Sequence, residues 1–313
     1  MRELDAGELD PSSREGRSRC PRTTRRVVAD TEAVSDLLSV VASAATAESF
    51  VTGAAVVRGT FDHHTQDSGN VSWLVESEGE RLFVKSAGPV VPAAGTDEPL
   101  LSHAERVALL RNAVRVAHSC RHPALARLRN VVETATGPVL VYDAAPGRLV
   151  GVPRDQRADP ASPYQRFAHL PAARMLAVLD ELIDLHVDLA GQGWVACDLY
   201  DGCLIVDDDD RLTVIDLDTY HRGPFTNTMG RMFGSDRFMA PEELTLGATV
   251  DQRTTVFTLA RLVTHFATRL TEDLDRYVGS PSGAEVLRRA TERDPSARFA
   301  TVADFARAWV ASR

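Results

Sequence analysis

The 313-residue sequence lacks several features that would decide its class directly. No apolar run approaches the roughly 20 residues that a membrane-spanning helix needs, and the first residues (MRELDAGELDPSSREGRSRCPRTTRR) contain no apolar signal-peptide segment. Basic residues are not in excess either, because the formal net charge is -9. Such a chain has no electrostatic reason to bind nucleic acid or an anionic membrane, so we expect neither as a partner.

Cysteine is scarce, and its spacing argues against two kinds of scaffold. The four cysteines are Cys20, Cys120, Cys197 and Cys203. They form no C-x-x-C pair and have no neighbouring histidine pattern, which argues against a structural zinc site and against a disulfide framework. The simplest expectation is a protein of the reducing cytoplasm.

The apolar content, 44% of 313 residues, is enough for one large core or two modest ones. The start of the chain mixes acidic residues and arginines and predicts a disordered leader over residues 1–28. Helical spacing then predicts a helix over residues 30–47, and a strand follows over residues 50–60.

The two halves of the remaining chain differ in pattern. Period-two alternation predicts a β-hairpin over residues 70–88, whose second strand carries a lone lysine, Lys85. A helix over residues 102–120 and two strands around Thr136–Gly137 follow. Beyond Gly147 the patterns are mainly helical, at residues 172–193, 240–247, 254–270, 283–293 and 302–312.

These patterns predict an α+β fold with two lobes. The first lobe, residues 29–143, is β-rich with one main helix, and the second, residues 144–313, is helical. A hinge is expected near Asp143–Gly147.

Two aspartates each follow a short apolar run in the stretch GWVACDLYDGCLIVDDDDRLTVIDLDTY, residues 193–220. Asp198 and Asp216 stand where a predicted strand ends and the backbone turns, so both carboxylates can face a cleft between the lobes. A surface turn is the alternative. It suits the acidic run Asp207–Asp210 better, because an apolar run precedes each of the other two.

Seven segments occur in a fixed order: LFVKSA, HPALARL, LVYDAAPG, GWVACDL, TVIDLD, GSDRFMAPEE and DPSARFATVADF. In this order they resemble the protein-kinase superfamily over about residues 51–309, which is most of the chain. The resemblance implies a bilobal protein-kinase-like fold. It also implies transfer of the γ-phosphoryl group of ATP to an acceptor hydroxyl, with Mg²⁺ as cofactor.

The resemblance gives roles to three catalytic residues. Lys85 is similar to the strand lysine that holds the α- and β-phosphates, and an ordinary exposed lysine is the alternative. Asp198 would accept the proton of the acceptor hydroxyl. Asp216 would chelate the Mg²⁺ that bridges the phosphates.

The segment GSDRFMAPEE resembles the end of the activation segment in Ser/Thr protein kinases. By this resemblance the hydroxyl of Ser235 would touch the catalytic aspartate. Glu242 would pair with a distant arginine, for which Arg298 is the candidate. A buried pair of this kind would be architectural and not catalytic.

The chain also departs from the family pattern around Asp198. Ala196–Cys197 replaces the usual His-Arg, so a phosphorylated activation loop would lack its arginine partner. Tyr200 replaces a lysine, and Cys203 stands where an asparagine binds the metal. A thiol is a poor ligand for Mg²⁺, which prefers oxygen.

One of two aspartates could replace the lost oxygen ligand. Asp218 lies two residues after Asp216, so in extended backbone its carboxylate would point the same way. Asp201, within the loop that follows Asp198, is the other candidate.

Further positions are assigned to the nucleotide. The turn at Ser68, Gly69 and Asn70 is similar to the phosphate-binding turn of aminoglycoside-type small-molecule kinases. The adenine would be bound by backbone at Asp143 and Ala145, behind Tyr142.

The helix glutamate expected to pair with Lys85 is ambiguous. Counting along the segments places it near Asn112 or Ala113, while Glu105 lies two turns earlier on a similar face. We assign Glu105. The alternative is a surface charge in the first turn of a helix, where the helix dipole favours it.

Three functions remain open. The GSDRFMAPEE segment favours an active ATP-dependent Ser/Thr-type kinase. The DSGN turn and Leu217–Asp218 favour a small-molecule O-kinase acting on an antibiotic or a biosynthetic intermediate. Cys203 and the uncertain glutamate favour a pseudokinase scaffold. The sequence does not name the hydroxyl acceptor.

Overall fold

The computed structural model describes residues 37–62, 68–92 and 98–313. All of these residues belong to one compact unit, Ser35–Arg313. The predicted leader, residues 1–28, lies outside the described residues. Within the described part, no helix has both the length and the apolar content needed to cross a membrane.

A five-stranded antiparallel sheet occupies the first half of the chain, in the order β1-β2-β3-β5-β4. Its strands are β1 (Val56–Phe61), β2 (Val71–Ser77), β3 (Glu80–Ser86), β4 (Leu128–Thr134) and β5 (Gly137–Asp143). The predicted hairpin is confirmed by β2 and β3, in which Ser72 pairs with Lys85. Lys85 also pairs with Leu140 of β5, so the lysine lies on the central strand.

Helices lie before, within and after the part of the chain that forms this sheet, short strands follow it, and the α+β class is confirmed. The helices are α1 (Ala47–Ala54), α2 (His103–Ser119), α3 (Pro163–Ala168), α4 (Ala172–Gly191), α5 (Gln252–Ala267), α6 (Pro281–Ala290) and α7 (Val302–Ala311). The short strands are β6 (Arg148–Leu149), β7 (Trp194–Val195), β8 (Leu204–Val206), β9 (Leu212–Val214), β10 (His221–Arg222), β11 (Phe225–Thr226) and β12 (Thr249–Val250).

Two large hydrophobic clusters hold these elements. One joins α1 to one face of the five-stranded sheet, through residues such as Phe50, Val75 and Val84. The other lies among α4, α5 and α7, where Leu182, Phe266 and Phe305 are fully or almost fully buried. Because strand side chains alternate, Lys85 points away from the face that buries Leu82 and Val84.

The prediction of a helix over residues 30–47 is wrong for its described part. Residues 37–46 are not helical, and α1 begins only at Ala47, with Thr46 as its N-cap. The segment instead runs beside β4, where Ser43 N–H donates to Glu133 O at 2.8 Å. Asn130 Nδ2 donates to two carbonyls of the same segment. These backbone bonds to a sheet edge outweigh a weak helical pattern.

The helix expected at residues 240–247 is also wrong, because only a short 3₁₀ turn forms, at Pro241–Leu244. The side chain of Asn227 takes up the carbonyls that a longer helix would use. Its amide donates to the carbonyls of Glu242 and Glu243, both at 3.1 Å. Gly247 then adopts a left-handed φ of 82°, and its N–H donates to Asn227 O at 2.8 Å.

Candidate functional site

A cavity of about 480 Å³ lies between the five-stranded sheet and the segments around β8 and β9. This volume is typical of a small-molecule site. Most of its wall is apolar, and Lys85, Asp216 and Asp218, which contact one another, form its polar end beside Tyr200. The other lining residues are Phe61, Ser72, Leu74, Phe83, Ala113, Val116, Ala117, Leu125, Ala126, Tyr142, Asp143, Ala144, Ala145, Leu149, Gly202, Ile205, Ile215 and Leu217.

Lys85 is bound by two carboxylates at the polar end. Its ammonium donates to Asp216 Oδ1 and, at 2.8 Å, to Asp218 Oδ2. Burial alone would lower the pKa of Lys85, but the two carboxylates outweigh it and hold that pKa well above its usual value. The lysine therefore stays charged. Of the 35 lysine and arginine residues in the sequence, only Lys85 is a lysine.

Asp198 and Asp216 share an unusual backbone conformation. Their φ angles are 56° and 66°, in the left-handed region that few residues other than glycine adopt. Strain of this kind persists only where the surroundings hold it, and it concentrates at functional sites. The extended backbone expected between Asp216 and Asp218 is therefore wrong at Asp216, although both carboxylates reach the same ammonium.

Three side chains fix the loop that carries Asp198. Thr255 Oγ1, on α5, accepts from Ala196 N–H at 3.0 Å. Thr219 Oγ1 donates to Cys197 O at 2.9 Å. The thiol of Cys203 donates to Asp198 O at 3.4 Å.

Cys203 is wrong as a metal ligand. Its side chain is buried and does not line the cavity. Burial and the nearby Asp216 carboxylate hold the pKa of this thiol well above its usual value, so it stays protonated. Its Sγ donates to Asp198 O instead, and this contact holds the Asp198 backbone.

Asp201 is also wrong as the replacement oxygen ligand. The residue is almost fully buried, and its Oδ1 accepts from Arg237 at 2.8 Å. Asp201 is not among the residues that line the cavity. Arg237 could not be predicted as the partner of Asp201, because the two residues are 36 positions apart in the chain.

Glu105 does not reach Lys85, so the predicted pair is wrong. Its carboxylate accepts from the backbone N–H of Ser102 at 2.8 Å and from the Ser102 hydroxyl, and Ser102 in turn caps α2. This capping box explains why a glutamate occurs at the third position of the helix. The part of α2 that faces the cavity carries Ala113, Val116 and Ala117.

Asn112 is a site residue that the sequence analysis did not assign. Its side-chain amide donates to Asp218 O at 2.9 Å and to Tyr220 O at 2.6 Å. The hydroxyl of Tyr220 lies 2.8 Å from Nε2 of the buried His186. These contacts anchor the segment that carries Asp218, and counting along the segments had already pointed to Asn112.

The turn at Ser68, Gly69 and Asn70 does not line the cavity. Gly69 has a φ of 76°, and a Cβ there would lie 2.6 Å from Pro99. Asn70 N–H donates to Ser68 Oγ at 3.3 Å. Residues 63–67, which precede this turn, lie outside the described residues, so its phosphate-binding role stays a prediction.

Tyr142, Asp143 and Ala145 do line the cavity, where the chain leaves the sheet. The Asp143 carboxylate accepts from Arg129 at 2.6 Å. In the described part of the chain, Ala145 N–H has no backbone acceptor. An N–H group at a cavity wall can serve a ligand acceptor.

Glu242 and Arg298 form the predicted buried pair. Arg298 donates to both carboxylate oxygens of Glu242, at 2.6 and 3.0 Å. Ser235 accepts through its carbonyl from Phe238 N–H at 2.9 Å. The predicted contact of the Ser235 hydroxyl with Asp198 stays a prediction.

Gly202 gives a test of the cavity floor. A Cβ at Gly202 would lie 2.2 Å from Cε2 of Tyr200, a cavity-lining ring. We expect Gly202→Ala to displace that ring and to weaken ligand binding in the cavity about tenfold, or about 1.4 kcal/mol. Gly53→Ala is the matched control, since nothing lies within 4 Å of that position. Equal affinities for the two variants, measured by titration calorimetry, would contradict this role of Tyr200.

The donor set at the polar end suits Mg²⁺ only together with phosphate. Among the described residues, no three His, Cys, Asp or Glu side chains form a group that could hold a metal ion. Magnesium, however, is often bound by one or two carboxylates plus substrate phosphates. Asp216, whose side chain is 46% exposed, can provide such a carboxylate.

No protein-family model matches this chain, and no curated protein matches it either. The function is therefore inferred from the cavity and its side chains.

Proposed function

We propose that the protein is an ATP-dependent phosphotransferase with a bilobal, protein-kinase-like fold. The observation that carries the proposal is the ion-paired group at the polar end of the cavity, where the only lysine of the sequence contacts Asp216 and Asp218. The left-handed backbone of Asp198 and Asp216 supports it. So does the order of the seven kinase-like segments.

The cavity offers complementary ends for a nucleotide. Its apolar part, bounded by Leu74, Val116 and Ile205, suits a flat base. Ala145 N–H can donate to the edge of that base. Lys85 at the other end can bind phosphate oxygens, and Asp216 would hold the Mg²⁺, which neutralises charge on the phosphates.

Asp198 would act on the acceptor. Its place in the loop lets it orient a hydroxyl and accept the proton as the phosphoryl group is transferred. Burial raises the pKa of Tyr200, and the Asp198 and Asp216 carboxylates raise it further. Tyr200 therefore stays neutral and cannot replace the positive charge of the family lysine.

A nucleotide-binding scaffold without catalysis is the second candidate. The Cys203 side chain does not line the cavity and provides no metal ligand there, and α2 brings no carboxylate to the cavity. A small-molecule O-kinase differs from a Ser/Thr-type kinase only in the acceptor. Screening peptides against hydroxylated metabolites would separate these two.

Nucleotide binding is the first test. We expect magnesium-dependent binding of ATP in titration calorimetry, and its loss in Lys85→Ala and in Asp216→Ala, because each removes a contact to the phosphates or the metal. Asp208→Ala, at an exposed turn, is the control and should bind normally. A wild-type protein that binds no ATP in the presence or absence of magnesium would contradict the proposal.

A further inference from the structure

The two carboxylates that contact Lys85 differ in burial and in support. The Asp216 side chain is 46% exposed, whereas that of Asp218 is 9% exposed. The Asp216 carboxylate can therefore leave Lys85 and bind a metal ion that arrives from solvent, since it is already partly hydrated. Asp218 cannot leave the lysine without leaving a charge buried, which is costly.

The backbone on both sides of Asp218 is held. Asn112 binds the carbonyls of Asp218 and Tyr220, and Thr219 Oγ1 binds Cys197 O. The hydroxyl of Tyr220 meets His186 inside the helical cluster. These hydrogen bonds hold the segment that carries Asp218 in place. A carboxylate that orients a lysine needs such support, because its own position must be fixed.

Helix α2 offers no alternative partner for Lys85. Its only acidic residue, Glu105, is committed to the N-cap. Ala113, on the face toward the cavity, packs in one cluster with Leu140, the cross-strand neighbour of Lys85. A carboxylate from the helix would come from this position, and alanine occupies it.

We propose that Asp218 is the positioning residue of Lys85, in place of a carboxylate from α2, and that it leaves Asp216 free to bind a metal. Asp218 is then not a metal ligand. Its importance for catalysis rests on the proposed function, but the contact with Lys85 can be tested without it.

The test uses the fact that Lys85 carries the only side-chain amine of the sequence. The folded protein is acylated with an N-hydroxysuccinimide ester of acetate at one fixed pH, and modification of Lys85 is followed by peptide mass spectrometry. The N-terminal amine serves as internal reference. We expect Asp218→Asn to accelerate acylation of Lys85 about tenfold, because the buried Asp218 carboxylate is little screened by water. Asp216→Asn should accelerate it much less, because solvent screens the charge of a side chain that is 46% exposed.

A rescue variant separates positioning from general damage. We expect Asp218→Asn also to lower the affinity for Mg-ATP, because Lys85 is no longer held in place. In this background, Ala113→Glu should slow acylation of Lys85 again and restore most of that affinity. Ala117→Glu is a second rescue if Ala113→Glu unfolds, which thermal unfolding would show. A larger acceleration in Asp216→Asn than in Asp218→Asn overturns the proposal, and so does failure of both rescues. If the wild type binds no Mg-ATP, the proposed phosphotransferase function is contradicted. The acylation rates then still decide whether Asp218 positions Lys85.

Discussion

Arg298→Met should lower the free energy of unfolding by about 3–5 kcal/mol, the cost of breaking a buried ion pair by removing one partner. The Arg298 side chain is 0% exposed, and that of Glu242 is 5% exposed. Among the described residues, the substitution leaves the buried Glu242 carboxylate with the Thr254 hydroxyl as its remaining side-chain hydrogen-bond donor. It also removes donors to the carbonyls of Arg253, Glu292 and Arg293. Thermal or urea unfolding measures the loss.

A matched control makes this prediction specific. Arg307 on α7 pairs with Asp304, but its side chain is 71% exposed. Exposed pairs contribute about 0–1 kcal/mol, so Arg307→Met should change stability little. A second variant that also replaces Glu242 with methionine should recover part of the loss, because no unpaired charge remains. Similar stabilities for Arg298→Met and Arg307→Met would mean that the buried pair does not stabilise the fold.

The hairpin β2–β3, helix α2 and the pair Glu242–Arg298 could be predicted from sequence for different reasons. The first two follow from local periodicity and from turn and cap residues that lie within a few positions. The pair was predicted from the order of the kinase-like segments and not from periodicity. It is present although its members are 56 residues apart.

The partners of Lys85 could not be predicted in the same way. Asp216 and Asp218 are 131 and 133 residues away along the chain, and their contact depends on how the sheet meets β9. Glu105 had a suitable residue type, but a local capping box took its carboxylate. The hydrogen bonds of Glu105 to nearby Ser102 thus formed in place of the expected contact with distant Lys85. The spacing of residues in the sequence does not show which of the two partners Glu105 binds.

Residue type was also a poor guide to which groups face the cavity. Asp201 carries the oxygen ligands that magnesium prefers, yet Arg237 holds it in the interior. Cys203 stands at a metal-binding position in the resemblance, yet its thiol supports the Asp198 backbone. In both cases a partner that only the folded chain brings close keeps the side chain out of the cavity. The structure therefore narrows the candidate metal ligands to Asp216 and Asp218, and the proposed positioning role of Asp218 leaves Asp216 to bind the metal.

Asp198→Asn should reduce phosphoryl transfer about 10²- to 10⁴-fold, the usual contribution of a positioned general base. Asparagine keeps the shape of the side chain but cannot accept the proton of the acceptor hydroxyl. It also tolerates the left-handed φ of this position better than most residues. The loop should therefore stay in place, held by Thr255 and Thr219. The affinity for Mg-ATP should change less than threefold, about 0.6 kcal/mol.

The rate is measured with the acceptor that the peptide and metabolite screen identifies, and ATP affinity is measured on the same protein. Asp208→Asn at the exposed turn is the control and should keep full activity. A fall in rate with affinity preserved is the result expected of a residue that acts only on the acceptor. If Asp198→Asn loses ATP affinity and rate together, Asp198 supports the nucleotide site and is not the base. If ATP binds but neither wild type nor variant transfers phosphate to any acceptor, the nucleotide-binding scaffold becomes the better description.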